Sequence, residues 1–189
     1  EVKPDVISMS LGSHSYDTEM HDLIKQLHKM NIPVIAAAGN DGKKQIGRHV
    51  IDTINYPAKY PEVICVAAFD KYGYPAGFNS YGSDNIDFSA PGVDIYSTWI
   101  NHEYVSISGT SMATPFVAGL VALLLAKHRK QESITGLNDC KTVDQIKEHL
   151  IKYTDDKGVV GKDLHWGYGV VDPVKLIQAL ENEDVTPLP

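Results

Sequence analysis

Cysteine is scarce in this chain: 189 residues contain only Cys65 and Cys140. Two thiols make no disulfide framework of the kind that staples small secreted domains. Cys65 sits in an apolar run, where a buried thiol is expected, and this usage leans towards a reducing, intracellular compartment. Positive charge is also in deficit, with 17 Lys and Arg against 24 Asp and Glu and a formal net charge of −7. That balance argues against nucleic acid or an anionic membrane as the main partner. The longest uninterrupted apolar run, Phe116 to Ala126, is too short to span a bilayer. The sequence has no HExxH, CxxC, EF-hand, GxGxxG or Walker A pattern, so the common metal and phosphate sites have no signature here. Internal repeats, low-complexity segments and a recognisable signal peptide are lacking too.

What is present suffices for one domain with a sizeable core. Val6 to Ser10 reads as a short strand ending at Leu11-Gly12. Asp17 to Met30 carries Met20, Leu23, Ile24, Leu27 and Met30 at helical spacing, and Asn31 and Pro33 stop it. Val34 to Ala38 is a second strand, closed by Gly39-Asn40-Asp41-Gly42. Strand, helix, strand with short joints is the βαβ pattern of a parallel sheet covered by helices. Lys43 to Thr53 lacks periodicity and reads as an exposed loop with solvated basic residues. Tyr56 to Pro61 is rigid and turn-rich, Val63 to Ala68 is a third strand, and Tyr72 to Gly92 reads as loops. Asp94 to Thr98 and Tyr104 to Ser108 are expected to pair as a hairpin. Further helices are expected from Ser111 to about Arg129, over Val143 to Ile151, and from Pro173. Gln131 to Asp139 reads as a linker, and 181–189 as a loose acidic tail after a body of 1–180.

The segment Ser108-Gly109-Thr110-Ser111-Met112-Ala113-Thr114-Pro115 runs small, hydroxylated residues into an apolar helix. A serine there lies beside N–H groups without intrahelical partners, at the positive end of the helix dipole. Such a setting suits a nucleophile whose attack creates an oxyanion; read locally, a Thr110 or Ser111 N-cap is the favoured reading. Pro115 is expected in the first helical turn, where its missing donor costs nothing. Gly39-Asn40 is turn chemistry by itself, or else an amide aimed into a cleft. Parallel strands bring their C-terminal ends together, where open α/β sheets bind ligands, and Asn40 and Leu11-Gly12 both sit at such ends. His14, His21 and His28 repeat every seven residues, a helical step of roughly 10 Å that is too long for one zinc; they read as surface helix histidines.

At this point the sequence resembles the subtilisin-like serine peptidases from Val6 to about Leu180. Gly109 to Pro115 with Val117-Ala118-Gly119 resembles the family's nucleophile motif, and Ala36-Ala37-Ala38-Gly39-Asn40 its oxyanion motif. Ser8-Met9-Ser10-Leu11-Gly12 resembles its substrate-binding strand, and Tyr56 to Pro61 and Ser89-Ala90-Pro91-Gly92 two further turns. The resemblance implies a three-layer α/β/α fold with a parallel sheet and the activity of a serine endopeptidase on polypeptides. It implies Ser111 as nucleophile, with the Asn40 side-chain amide and the Ser111 N–H holding the oxyanion and Thr110 supporting them. Ser10, Leu11 and Gly12 would pair with extended substrate as an added strand. Ala37, Ala38 and Gly39 would wall the pocket for the residue before the cut, with its floor near Asn55. Met112, beside the nucleophile, would be an oxidation liability. No cofactor is implied for the chemistry. The family often binds structural calcium, and carbonyls near Ala58, Tyr60 and Val63 with Asp70 suggest a weak site, although no ligand cluster in the sequence demonstrates it.

Two departures matter. Phe116 stands where the family usually has His after the proline, at a position given to helix packing. In the family the triad runs Asp, His, Ser along the chain, and the acid and base motifs that should precede Val6 are not in this sequence. The expectation is therefore the C-terminal half of a catalytic domain, lacking upstream strands, inactive alone and partnered by the missing N-terminal half. Two rival readings remain. An α/β-hydrolase would use Ser111, Asp155 and His165, which follow in that family's order, although the elbow's final glycine is missing. A catalytically dead module of the same fold would bind peptides or a partner.

Overall fold

The computed structural model describes residues 3–82, 85–135 and 140–182. Its centre is a six-stranded sheet in the order β1-β2-β5-β6-β10-β9, built from β1 (Ile7–Met9), β2 (Val34–Ala37), β5 (Ile64–Phe69), β6 (Ile86–Pro91), β10 (Val170–Val171) and β9 (Thr154–Asp155). All neighbours are parallel except β9, which runs antiparallel to β10. Residues of β2 and β5 alternate strictly between faces, as the two-residue period requires. Ile35, Ile64, Val66 and Ala68 enter one core with Val117, Val121 and Leu124 of α2 (Thr110–Thr135), Ile146 and Leu150 of α3 (Val143–Lys152) and Leu176 of α4 (Pro173–Asn182). Val34, Ala36, Cys65 and Ala67 enter the other, with Ile24 of α1 (Thr18–Lys29). Helices on both faces make the three α/β/α layers. The sheet is buried on both sides, so its strands read as apolar runs.

Helix starts follow local chemistry. Asp17 caps α1 by accepting the Met20 N–H at 2.9 Å. Thr142 and Gln145 form a reciprocal capping box on α3. Pro115 lies at the sixth residue of α2, not in its first turn. Its missing N–H leaves the Ser111 carbonyl without the usual i→i−4 donor, and the Ser10 hydroxyl donates to that oxygen at 2.7 Å. Among the described residues α2 is long and apolar enough to cross a membrane over Thr110–Lys130, yet half of that window is buried against the sheet. The eleven-residue run seen in the sequence understated its apolar length.

Several expectations change. Lys43 to Thr53 is exposed but not a plain loop: β3 (Lys44–Ile46) and β4 (His49–Ile51) pair as a hairpin across Gly47-Arg48, with Gly47 at φ +59°. Both of its faces are solvated, so burial left no alternating pattern to read. Within Tyr72 to Gly92, β6 is a buried strand. Residues 131–135 continue α2 rather than starting a linker, and 136–139 lie outside the described residues. The hairpin of β7 (Ile95–Thr98) and β8 (Tyr104–Ile107) forms as expected. The last helix runs to Asn182, and the rest of the acidic tail, 183–189, lies outside the described residues. His14 precedes α1, and His21 is packed, stacked on Tyr60 at 4.2 Å and hydrogen-bonded to Glu62 at 2.9 Å.

β6 escaped the sequence reading because Asp87 and Ser89 interrupt its apolar residues, and both are buried. The β5–β6 register slips between Cys65 and Val66. Across that slip Asp87 Oδ2 accepts the Cys65 N–H at 3.0 Å, while Oδ1 meets Lys147 Nζ at 3.0 Å and Lys162 Nζ at 3.1 Å. A buried carboxylate is tolerated only with such partners. Asp87→Ala strands an amide and two ammonium groups at the sheet, and should cost on the order of 3 kcal/mol. A urea midpoint in the variant equal to that of the parent would contradict this account.

Candidate active site

The C-terminal ends of β1 and β2 and the N-terminus of α2 meet on one edge of the sheet, as the parallel topology dictates. They enclose a cleft of about 230 Å³ lined by Ser10, Leu11, Gly12, Ala37, Gly39, Asn40, Asn55, Thr110 and Ser111. Nine of the ten residues singled out from the sequence are thus brought together. The exception is Ala38, which has no exposed surface and packs into the core beneath α1.

Thr110 opens α2, so Ser111 sits inside the first helical turn rather than capping it. Asn40 Oδ1 accepts both the Thr110 N–H and the Thr110 hydroxyl at 3.0 Å. Thr110 Oγ1 accepts the Gly39 N–H at 3.2 Å. These bonds commit the Asn40 oxygen to protein and leave its Nδ2 as the outward donor. A Cβ built on Gly109 would lie 3.3 Å from Asn40 Nδ2 and 3.7 Å from the Ser111 nitrogen. Both donors therefore border the space beside Gly109, where a side chain would crowd Asn40 Nδ2 and touch the Ser111 nitrogen. The Ser111 N–H has no bond to other described residues, as expected for the first turn of a helix. Two donors beside a hydroxyl at a helix N-terminus can stabilise an oxyanion formed by that hydroxyl's attack.

Along one side, the backbone of Leu11 and Gly12 bonds to no other described residue. Just beyond, Ser13 and Tyr56 exchange both amide bonds at 2.8 Å, which fixes the rim. That leaves an extended, unpaired segment able to take an added strand. Asn55 closes the far end. Its Nδ2 donates to Asp41 Oδ2 at 3.0 Å, and its side chain fills the space between the facing glycines. A Cβ on Gly12 would meet Asn55 Cβ at 2.8 Å, and one on Gly39 would meet Asn55 Nδ2 at 2.3 Å. On the opposite side of Ser111 lies a second recess of about 190 Å³, lined by Trp99, Val105, Ile107, Met112 and Pro115 among others. The sequence reading missed this recess. The hairpin prediction contained its walls, but which residues face the serine depends on how the hairpin folds onto α2.

The rival hydrolase constellation is not assembled. Asp155 pairs with Lys175, His165 packs on Tyr81 with ring centroids 4.5 Å apart, and neither lines the cleft. No described histidine lines it either. Cys65 is fully buried, and burial pushes its thiol well above the usual range, which excludes it as a nucleophile. The suggested calcium ligands do not fit one ion. Val63 and Asp70 lie at opposite ends of β5, on the order of 20 Å apart along an extended strand. In addition, Asp70 Oδ1 accepts the Tyr72 and Tyr74 amides, both at 2.9 Å.

Against known proteins, a model of the subtilase family matches residues 1–169. The minor extracellular protease Epr of Bacillus subtilis is 34% identical over 167 residues, 88% of this chain and 23% of that protein. Subtilisin DY of Bacillus licheniformis is 45% identical over 124 residues, 66% of this chain and 43% of that protein. A thermostable alkaline protease of Halalkalibacterium halodurans is 42% identical over 123 residues, 65% of this chain and 32% of that protein. The chain therefore spans less than half the length of each of these relatives.

Proposed function

Because the chain belongs to the subtilase family, we propose that it is the nucleophile-bearing part of a subtilisin-type serine endopeptidase. Ser111 Oγ attacks the peptide carbonyl, and the carbonyl oxygen, as it becomes negative, is held by Asn40 Nδ2 and the Ser111 N–H. The placement of those two donors side by side at Gly109, next to the serine, carries this reading. Ser10 to Gly12 align the substrate as an added strand. Thr110 acts as a positioning residue, because it holds Asn40 by the oxygen and so aims the nitrogen. The general base and its orienting acid come from polypeptide beyond these 189 residues. Without them Ser111 is an unactivated hydroxyl, and this chain alone is inactive. Retention of both oxyanion donors and the nucleophile favours an enzyme over a dead binding module.

The experiment is active-site labelling of the full-length protein with a fluorophosphonate, read by peptide mass. Ser111 should carry the adduct, and Ser111→Ala should abolish it. Label elsewhere, or undiminished label in the variant, overturns the assignment.

Asn55 sets what precedes the cut. Wedged between Gly12 and Gly39, it makes the pocket shallow, so small or polar residues are preferred there. Asn55→Gly should shift a peptide-library profile towards Phe and Leu. A parent enzyme that already favours Phe and Leu, with no change in the variant, removes Asn55 from the floor.

A further inference from the structure

Residues 10–17, between β1 and α1, carry the segment able to take an added strand. Leu11 is 54% exposed and Gly12 has no side chain to pack, so their path is set from the two ends. At the near end the Ser10 hydroxyl donates to the Ser111 carbonyl at 2.7 Å. At the far end, past the pairing of Ser13 with Tyr56, an aromatic cluster takes hold of the loop. The Tyr60 hydroxyl donates to the Asp17 carbonyl at 2.7 Å and accepts the Asp17 N–H at 3.1 Å. The Tyr16 ring stands edge-on to His21, Tyr56 and Tyr60, with centroids 5.5 to 5.6 Å away. Its oxygen lies 2.7 Å from His21 Nδ1, and His21 Nε2 lies 2.9 Å from Glu62 Oε2. A carboxylate only accepts, so Nε2 carries the proton, and in the neutral ring Nδ1 accepts from the Tyr16 hydroxyl. The bonds thus run one way, from a half-exposed phenol through His21 to a carboxylate beside the turn of residues 56–61.

We propose that Tyr16 and His21 are positioning residues for the substrate: with Glu62 they latch this loop before a peptide arrives. The inference rests on the reading of Ser10, Leu11 and Gly12 as the strand that aligns the substrate. Strand addition draws its affinity from main-chain bonds, and these are strongest when the receiving backbone is already ordered. With the latch open, binding must order the loop as well, and that entropy is subtracted from the affinity. The loss falls on ground state and transition state alike, so it appears in KM and not in kcat. It also grows with the length of peptide paired, because a substrate with one residue before the cut makes little use of the strand.

The test compares acetyl-tetraalanine and acetyl-alanine p-nitroanilides on the full-length enzyme. Tyr16→Phe keeps the ring and removes the hydroxyl, and His21→Phe keeps a ring to stack on Tyr60 and removes both bonds. Each should raise KM for the tetrapeptide roughly fivefold, the effect of losing about one hydrogen bond. Values of kcat, and the kinetics of the short substrate, should change little. The double variant should be no worse than His21→Phe, since the hydroxyl acts through that ring. Tyr72→Phe, at an exposed tyrosine outside the cluster, should change nothing. Hydrogen exchange gives a readout that needs no turnover. The Ser13 and Tyr56 amides should exchange about fivefold faster in Tyr16→Phe, and those of β5 at the parent rate. Failure of the serine assignment, read from the label at Ser111, is therefore separate from failure of the latch. An unchanged tetrapeptide KM, an equal loss on both substrates, a loss carried by kcat, or unchanged exchange at Ser13 and Tyr56 overturns the proposal.

Discussion

In the full-length enzyme, Asn40→Ala should lower kcat by roughly 10²–10³-fold and leave KM little changed. The magnitude is the one known for an oxyanion-hole asparagine in an enzyme of this same family. The direction follows from the site. Asn40 Oδ1 is bound twice by Thr110, so its Nδ2 is held in place before substrate arrives. A ground-state carbonyl gains little from that donor, whereas the developing oxyanion gains a charge-assisted bond. An interaction made only in the transition state appears in kcat. Steady-state kinetics on one peptide decide the matter: an unchanged kcat, or a loss carried by KM alone, would falsify the role assigned to Asn40.

The parts of this fold that were legible in the sequence are those whose burial is one-sided or complete. α1 showed itself because Ile24 and its apolar neighbours share one face, and β2 and β5 because both of their faces are covered. β6 was hidden because its two buried polar residues find partners distant in sequence: Lys147 and Lys162 for Asp87, and the His165 carbonyl for Ser89. No local pattern announces a partner sixty residues away. β3 and β4 were hidden for the opposite reason, since a hairpin exposed on both faces has nothing to alternate. At the site, the motifs located Ser111 and Asn40, but the bonds that aim them were not visible. Ser10 reaching the Ser111 carbonyl, and Asn55 turning its amide to Asp41, follow from how three elements meet. Ala38 shows the same limit. The resemblance puts it in the pocket with Ala37, and the alternation of side chains, continuing one residue past β2, sends it into the core instead.

The second large effect concerns these 189 residues by themselves, which should show no peptide hydrolysis above background. The covalent step requires a proton acceptor for Ser111 Oγ, and no described histidine lines its cleft. Oxyanion stabilisation alone would leave residual catalysis over water only while the cleft kept its shape. The geometry of β1 makes that shape vulnerable. β1 is the outermost strand of the sheet, paired only with β2 among the described residues, yet Val6 packs against one core and Ile7 and Met9 against the other. A parallel edge strand whose apolar side chains pack into the core while its outer backbone edge has no partner among the described residues is a template for pairing with further chain. Leu11 and Tyr16, just beyond it, are more than half exposed, which adds apolar surface beside the same edge. The chain alone should therefore self-associate through β1, and co-refolding with the upstream segment of the same protein should yield both a soluble complex and Ser111-dependent activity. Light scattering and a peptidase assay on the two preparations give the answer. A stable monomer of the 189 residues that cleaves peptide, and loses that activity in Ser111→Ala, would sink the proposal that base and acid come from elsewhere.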